Sequence, residues 1–103
     1  MENKLIYSTT VEQLESIRND VKKYIIASND FTTEGDLDPV VRIVELGGSS
    51  IDMLVVAYAD PMGFAAFNKV KEKLIFNIMK IVKENKSEFA YPSTSLYVES
   101  MPK

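Results

Sequence analysis

The side chains that most often perform catalysis or bind metals are missing or scattered in this sequence. It contains no cysteine and no histidine, which removes thiolate nucleophiles, thiolate zinc sites and the usual general base near neutral pH. The acids Asp52, Asp60, Glu72 and Glu88 show no spacing that would pair two carboxylates on one helix face. We therefore predict no catalytic residue, no metal site, no cofactor and no enzymatic activity.

Two features suit anion binding, but each has a plainer interpretation. The glycine-rich segment Gly47-Gly48-Ser49-Ser50 is followed by a predicted strand, whereas a phosphate-binding loop leads into a helix. A hairpin turn is therefore favoured. Arg42 lies inside an apolar strand, where it suits recognition of a carboxylate or phosphate, but an edge strand that faces water explains it equally well.

Composition and charge are those of one globular domain. The 103 residues are 46% apolar and 26% charged, which argues against a disordered chain. The net charge of −3 disfavours a nucleic-acid partner. The longest apolar run, residues 53–59, is far shorter than the roughly 20 residues of a membrane helix. The first four residues lack the features of a signal peptide. We expect a single soluble, intracellular domain over 1–103.

Hydrophobic periodicity predicts the helices and strands on which a functional surface would lie. Residues 4–7 suit a strand, and Thr10 and Gln13 form a capping box that begins a helix ending near 27–29. Runs 40–46 and 51–59 suit an antiparallel hairpin, 64–84 a second helix and 95–98 a last strand. The order β-α-β-β-α-β predicts an α+β, ferredoxin-like fold, with two helices packed on one face of a four-stranded antiparallel sheet.

Each helix carries an apolar stripe that predicts its buried side. In the first helix this stripe predicts burial of Leu14, Ile17, Val21 and Tyr24. In the second it predicts burial of Phe67, Val70, Leu74, Ile78 and Ile81, with the stripe widened by Phe64 and Val82.

Some apolar side chains have no place in that core. Leu54, Val56 and Tyr58 alternate onto the sheet face away from the helices, which a two-layer fold leaves uncovered. Phe76 lies roughly 160° from the centre of the second helix's stripe. These four residues are our candidate subunit interface.

Three motifs, in register, resemble the C-terminal cytoplasmic α/β domain of the small-conductance mechanosensitive channel (MscS) family. Residues 41–51 resemble its hairpin, with Arg42, Gly47, Gly48, Ser49 and Ser50. Tyr7-Ser8-Thr9 resembles its opening strand-to-helix turn, and Phe89-Ala90-Tyr91-Pro92 its aromatic-proline segment. Family members often carry glycine after the second helix, where Asn85-Lys86 stands here. Asn tolerates a left-handed conformation well, so the helix end is expected to shift by one position.

The resemblance implies a structural role without catalysis. It implies a vestibule and assembly domain on the cytoplasmic side of the cell membrane, excised from a larger mechanosensitive ion channel. That domain contributes subunit contacts and the solute path below the pore. The implied partner is a homo-oligomer, a heptamer in the full-length protein, with membrane contact only through segments absent from this chain. The alternative is a stand-alone ferredoxin-like module that binds a small regulatory ligand.

Overall fold

The computed structural model describes residues 1–90. In chain order its elements are β1 (Glu2–Ile6), α1 (Val11–Ala27), β2 (Val40–Leu46), β3 (Ser50–Val56) and α2 (Phe64–Glu84). This confirms the first five predicted elements, although β1 begins two residues earlier than expected and β3 ends at residue 56. The predicted last strand, residues 95–98, lies outside the described residues.

The strands form an antiparallel sheet in the order β1-β3-β2. Three strands, not four, make up this sheet within residues 1–90. On the side of β1 away from β3, the N–H of Ile6 donates to the Glu88 carbonyl at 3.0 Å, and the N–H of Ala90 donates to the Lys4 carbonyl at 2.8 Å. A short antiparallel contact therefore already occupies the edge of β1.

The α1 N-terminus forms the predicted capping box. The N–H of Gln13 donates to Thr10 Oγ1 at 3.1 Å, and the N–H of Thr10 donates to Gln13 Oε1 at 2.7 Å, so two orphan donors are satisfied. Gln13 Nε2 also donates to the Asn85 carbonyl at 2.9 Å, and the buried hydroxyls of Thr9 and Ser87 lie 2.8 Å apart. The start of α1 is thus tied to the end of α2.

Both helices pack against one face of the sheet. The shared core combines side chains of β1, β2 and β3 with those of both helices: Leu5, Val41, Met53, Val55, Ile17, Val21, Ile25, Leu74, Ile78, Ile81 and Val82. Ile25 is the third fully buried α1 residue, while Leu14 and Tyr24 are partly buried against the core. The sequence therefore predicted correctly which side of α1 faces the core.

The predicted core of α2 is wrong in its first turns. Phe64 is 85% exposed and Phe67 is 47% exposed, although both were expected to be buried, and Val70 is only partly buried. Every residue from 61 to 69 is exposed. Periodicity indicates which side of a helix is apolar but not how far along the helix the sheet extends, and here packing becomes close only from Leu74 onward.

The end of α2 departs from the expected shift. Asn85 is the C-cap residue with a φ of −91°, and Lys86 adopts the left-handed conformation with a φ of 62°. Lysine carries a Cβ that crowds the backbone in this region, so the conformation costs roughly 1–2 kcal/mol. The helix end did not shift to place the asparagine there.

We expect Lys86→Gly to raise the free energy of unfolding by about 0.5–1 kcal/mol. Glycine relieves the strain at Lys86, and the greater freedom of glycine in the unfolded chain offsets part of the gain. Lys83→Gly is the matched control, because Lys83 lies in the last turn of α2, where glycine should cost about 1 kcal/mol. Urea unfolding of both variants measures the effects, and a less stable Lys86→Gly variant would contradict the prediction.

Candidate functional site

The first exposed apolar surface lies on the side of the sheet away from the helices. Leu54 and Val56 alternate with the buried Met53 and Val55, and both are partly exposed. Val56 pairs with Val40, which is also exposed. We call Val40, Leu54 and Val56 the sheet face. Charged residues border it, because Leu54 pairs with Glu2 on one side and with Arg42 on the other.

The second exposed apolar surface lies on α2. Phe76 is 56% exposed and Met79, one turn further along, is 51% exposed. We call this pair the helix face. It points away from the buried stripe that contains Leu74 and Ile78, so the helix layer and the sheet lie between the helix face and the sheet face. Leu54 and Val56 on one side and Phe76 on the other therefore lie on opposite surfaces, as expected from strand alternation and helix periodicity, and their role as a subunit interface remains a prediction.

Tyr58 lies beyond the end of β3, where strand alternation no longer assigns a side chain to a face. Its carbonyl accepts a hydrogen bond from the N–H of Thr32 at 2.8 Å, and its side chain is exposed. Tyr58 thus anchors the segment between α1 and β2 through its backbone. Its placement on the sheet face remains a prediction.

Within residues 1–90, the motif residues lie in the β2–β3 hairpin or beside β1. The turn is closed by the N–H of Gly47, which donates to the Ser50 carbonyl at 2.7 Å, and a Cβ on Gly47 would lie 3.2 Å from Ser50 Oγ. Tyr7 is exposed just after β1, and Phe89 packs against the core and bridges Leu5. Arg42 is exposed on β2, and Ser49 is exposed in the turn with Gly48. Tyr91 and Pro92 lie outside the described residues.

A buried carboxylate that forms an ion pair lies next to the sheet face, and the sequence analysis did not predict it. Asp52 is buried and accepts hydrogen bonds from Lys4 Nζ at 3.1 Å and from Ser50 Oγ at 3.0 Å. The hydrogen bond and the negative charge of Asp52 raise the pKa of Lys4, with smaller contributions from Glu2 and Glu45. The sequence showed only an isolated acid, because the pairing of β1 with β3 brings Lys4 opposite Asp52.

The stabilisation from this ion pair should disappear at alkaline pH. A lysine whose pKa is higher in the folded state stabilises that state fully below its unfolded-state pKa of about 10.4, and the effect is lost as pH rises through the folded value. We therefore expect Asp52→Asn to be less stable than the unmodified chain at pH 8, with the difference shrinking above pH 10.4. Urea unfolding across this range measures it.

Asp30→Asn is the control for that experiment. Asp30 pairs with Lys73 at 3.1 Å, but both side chains are more exposed than Asp52, so its removal should change stability less. An Asp52→Asn difference that stays constant up to pH 11 would show that the Lys4 charge is not its source.

An apolar groove beside the end of β3 was also not predicted. It has a volume of about 290 Å³ and lies between the exposed first turns of α2 and the sheet, with Phe31, Val56, Phe67 and Leu74 among its lining residues. The groove exists because α2 extends beyond the sheet that it packs on. It exposes further apolar area next to the sheet face.

Residues 1–90 contain neither a metal-ligand cluster nor a membrane-spanning helix. No three His, Asp or Glu side chains in this range come together as metal ligands would. Neither of the two helices combines the length and the apolar composition needed to cross a bilayer.

Comparison with known proteins relates this chain to one channel family. Residues 4–89 match the family described as "Mechanosensitive ion channel MscS, C-terminal". An uncharacterized MscS family protein of Aquifex aeolicus is 33% identical over 99 residues, which cover 96% of this chain and 26% of that protein. A second MscS family protein, from Helicobacter pylori, is 32% identical over 94 residues and is covered over 15% of its length.

Solved structures agree in fold. Two cryo-EM structures of Arabidopsis thaliana MSL1 match with TM-scores of 0.79 and 0.80 at 13% identity. The matches cover 88% and 89% of this chain, and 31% and 32% of those chains. At this identity the likeness concerns the fold alone. In each of these four matches the chain spans less than a third of the protein that it resembles.

Proposed function

This chain belongs to the MscS family of mechanosensitive ion channels and corresponds to its C-terminal domain, and we propose that it serves a channel as a vestibule and assembly domain. In this role it lies on the cytoplasmic side of the membrane as part of a longer protein. It contributes subunit contacts and part of the solute path below the pore. The observation that carries the proposal is the presence of two separate apolar faces on one small domain, an exposed one on α2 and a partly exposed one on the sheet.

The placement of the two faces favours a ring. A two-fold contact uses the same patch on both partners, whereas different patches on opposite sides join copies head to tail, and a head-to-tail series closes into a ring when the rotation fits. We propose that the sheet face of one copy contacts the helix face of the next. The family resemblance suggests seven copies in the full-length protein.

We also propose that the complete domain has a four-stranded ferredoxin-like sheet. We propose further that it is not an enzyme and that it has no nucleic-acid partner. In that topology the fourth strand lies antiparallel beside β1. Support comes from the hydrogen bonds that Ile6 and Lys4 make with Glu88 and Ala90 at this edge. Support for a role without catalysis comes from the lack of cysteine and histidine.

The experiment that tests the proposal is the oligomeric mass of the longer channel protein, measured in detergent by mass photometry. Phe76→Lys should reduce the full-size assembly to smaller species, because the charge would lose its hydration at the contact. A full-size assembly that persists with this variant would contradict a subunit contact at the helix face.

A further inference from the structure

A polar cleft lies along the edge of β2 that faces away from β3, on the opposite side of the sheet from β1. It is formed between α1 and the first residues of β2 and has a volume of about 440 Å³. Its charged lining residues are Arg18 and Lys22 from α1, Arg42 from β2, and Asp38 from the preceding loop. Pro39 and Val41 also line it and are buried, so the charged groups surround an apolar floor.

The cleft concentrates positive charge in the acidic half of the chain. Residues 1–52 contain ten acids and only five bases, namely Lys4, Arg18, Lys22, Lys23 and Arg42. Three of these five line the cleft, while Lys4 is held by Asp52. With Asp38 counted, the charged side chains of the cleft sum to a net positive charge.

The three cations have no carboxylate partner within the described residues. Between residues 1 and 90, no Asp or Glu oxygen lies within 4.0 Å of Arg18, Lys22 or Arg42, although Asp38 lines the same cleft. Arg18 Nε has only a hydrogen bond to the neighbouring Asn19 side chain, at 3.3 Å. The guanidinium and ammonium donors are therefore available to a ligand.

We propose that this cleft binds the phosphate monoester group of a small organic molecule. A guanidinium fork matches the oxygens of a phosphate, and a lysine adds a mobile positive charge. The volume is in the range of small-molecule pockets, and the floor of Pro39 and Val41 suits an apolar part of the ligand. The site goes beyond the proposed assembly role and is tested without it, on the 103-residue chain. It adjoins the sheet face, because Val40 and Arg42 also line the cleft.

The same chemistry occurs in soluble metabolites and in the headgroup of phosphatidic acid, so the test uses a probe for each. We would titrate the ¹⁵N-labelled 103-residue chain at low salt with phenyl phosphate, and separately with vesicles of phosphatidic acid in phosphatidylcholine. A third titration, with inorganic phosphate, shows whether the apolar floor contributes to the affinity for phenyl phosphate. We expect saturable amide shifts around residues 18–22 and 38–42, with phenyl phosphate binding more tightly than inorganic phosphate.

Two neighbouring lysines provide a matched pair of variants. Lys22 lines the cleft and Lys23 does not, yet both are exposed on the same turn of α1. We expect Lys22→Gln to weaken phenyl phosphate binding about fivefold, the value of one partly screened ionic contact, and Lys23→Gln to change it less than about twofold. Asp38→Asn should strengthen binding, since it removes the one negative charge of the cleft.

The outcomes separate the alternatives. Saturable shifts with phenyl phosphate that Lys22→Gln weakens selectively support a site for soluble phosphate esters. Shifts that appear only with phosphatidic acid vesicles, with the same variant pattern, assign the site to a lipid headgroup. Absence of saturation with both probes, or equal effects of Lys22→Gln and Lys23→Gln, would overturn the proposal.

Discussion

Leu74→Ala is expected to lower the free energy of unfolding by about 2–4 kcal/mol, a large part of the stability of a domain of this size. Leu74 is 5% exposed and is the first fully packed residue along α2. Truncation leaves a cavity that the surrounding core fills only in part. The open groove beside Leu74 permits some relaxation, so we do not expect the highest values seen for leucine. Urea or thermal unfolding measures the loss.

Phe67→Ala is the informative control, because the same apolar stripe predicts burial of both residues. Phe67 is about half exposed and lines the groove, so its removal should cost only about 1 kcal/mol in the isolated chain. Equal losses for the two variants would mean that α2 packs along its whole length. That result would restore the prediction made from periodicity and contradict the observed exposure of the first turns.

The second large effect concerns assembly of the longer channel protein. We expect Leu54→Lys on the sheet face to disrupt the ring as strongly as Phe76→Lys on the helix face, because each inserts a charge into a proposed apolar contact. The isolated 103-residue chain should unfold almost normally with Phe76→Lys, since that site is exposed. Ile26→Lys is the matched control: Ile26 is 55% exposed on α1 and belongs to neither face.

A charge pair across the two faces tests whether they meet. The double variant Leu54→Lys with Phe76→Glu places opposite charges on the two sides of a head-to-tail contact, and we expect it to recover part of the assembly that Leu54→Lys alone loses. If Ile26→Lys disrupts assembly equally, the effect is not specific to the two faces. If the double variant assembles no better than Leu54→Lys, the sheet face and helix face do not contact each other.

The elements of this protein could be predicted from local patterns, because each depends on residues close in the chain. The Thr10–Gln13 capping box, the turn at Gly47 and the bounds of β2 and α2 are short-range features, and their physical causes are visible in the sequence. The resemblance of three short motifs to the MscS family was also visible in the sequence, and the match over residues 4–89 confirms the family.

The sites depended on pairings between distant residues, which only the tertiary structure decided. The antiparallel register of β1 with β3 brings Lys4 to Asp52, and packing of α1 beside β2 brings Arg18 and Lys22 into one cleft with Arg42. The sequence by itself determined which side of α2 is apolar, but the extent of the sheet decided that Leu74 is buried and Phe64 is not. Burial depends on what lies opposite a side chain, and a one-dimensional pattern carries no information about that.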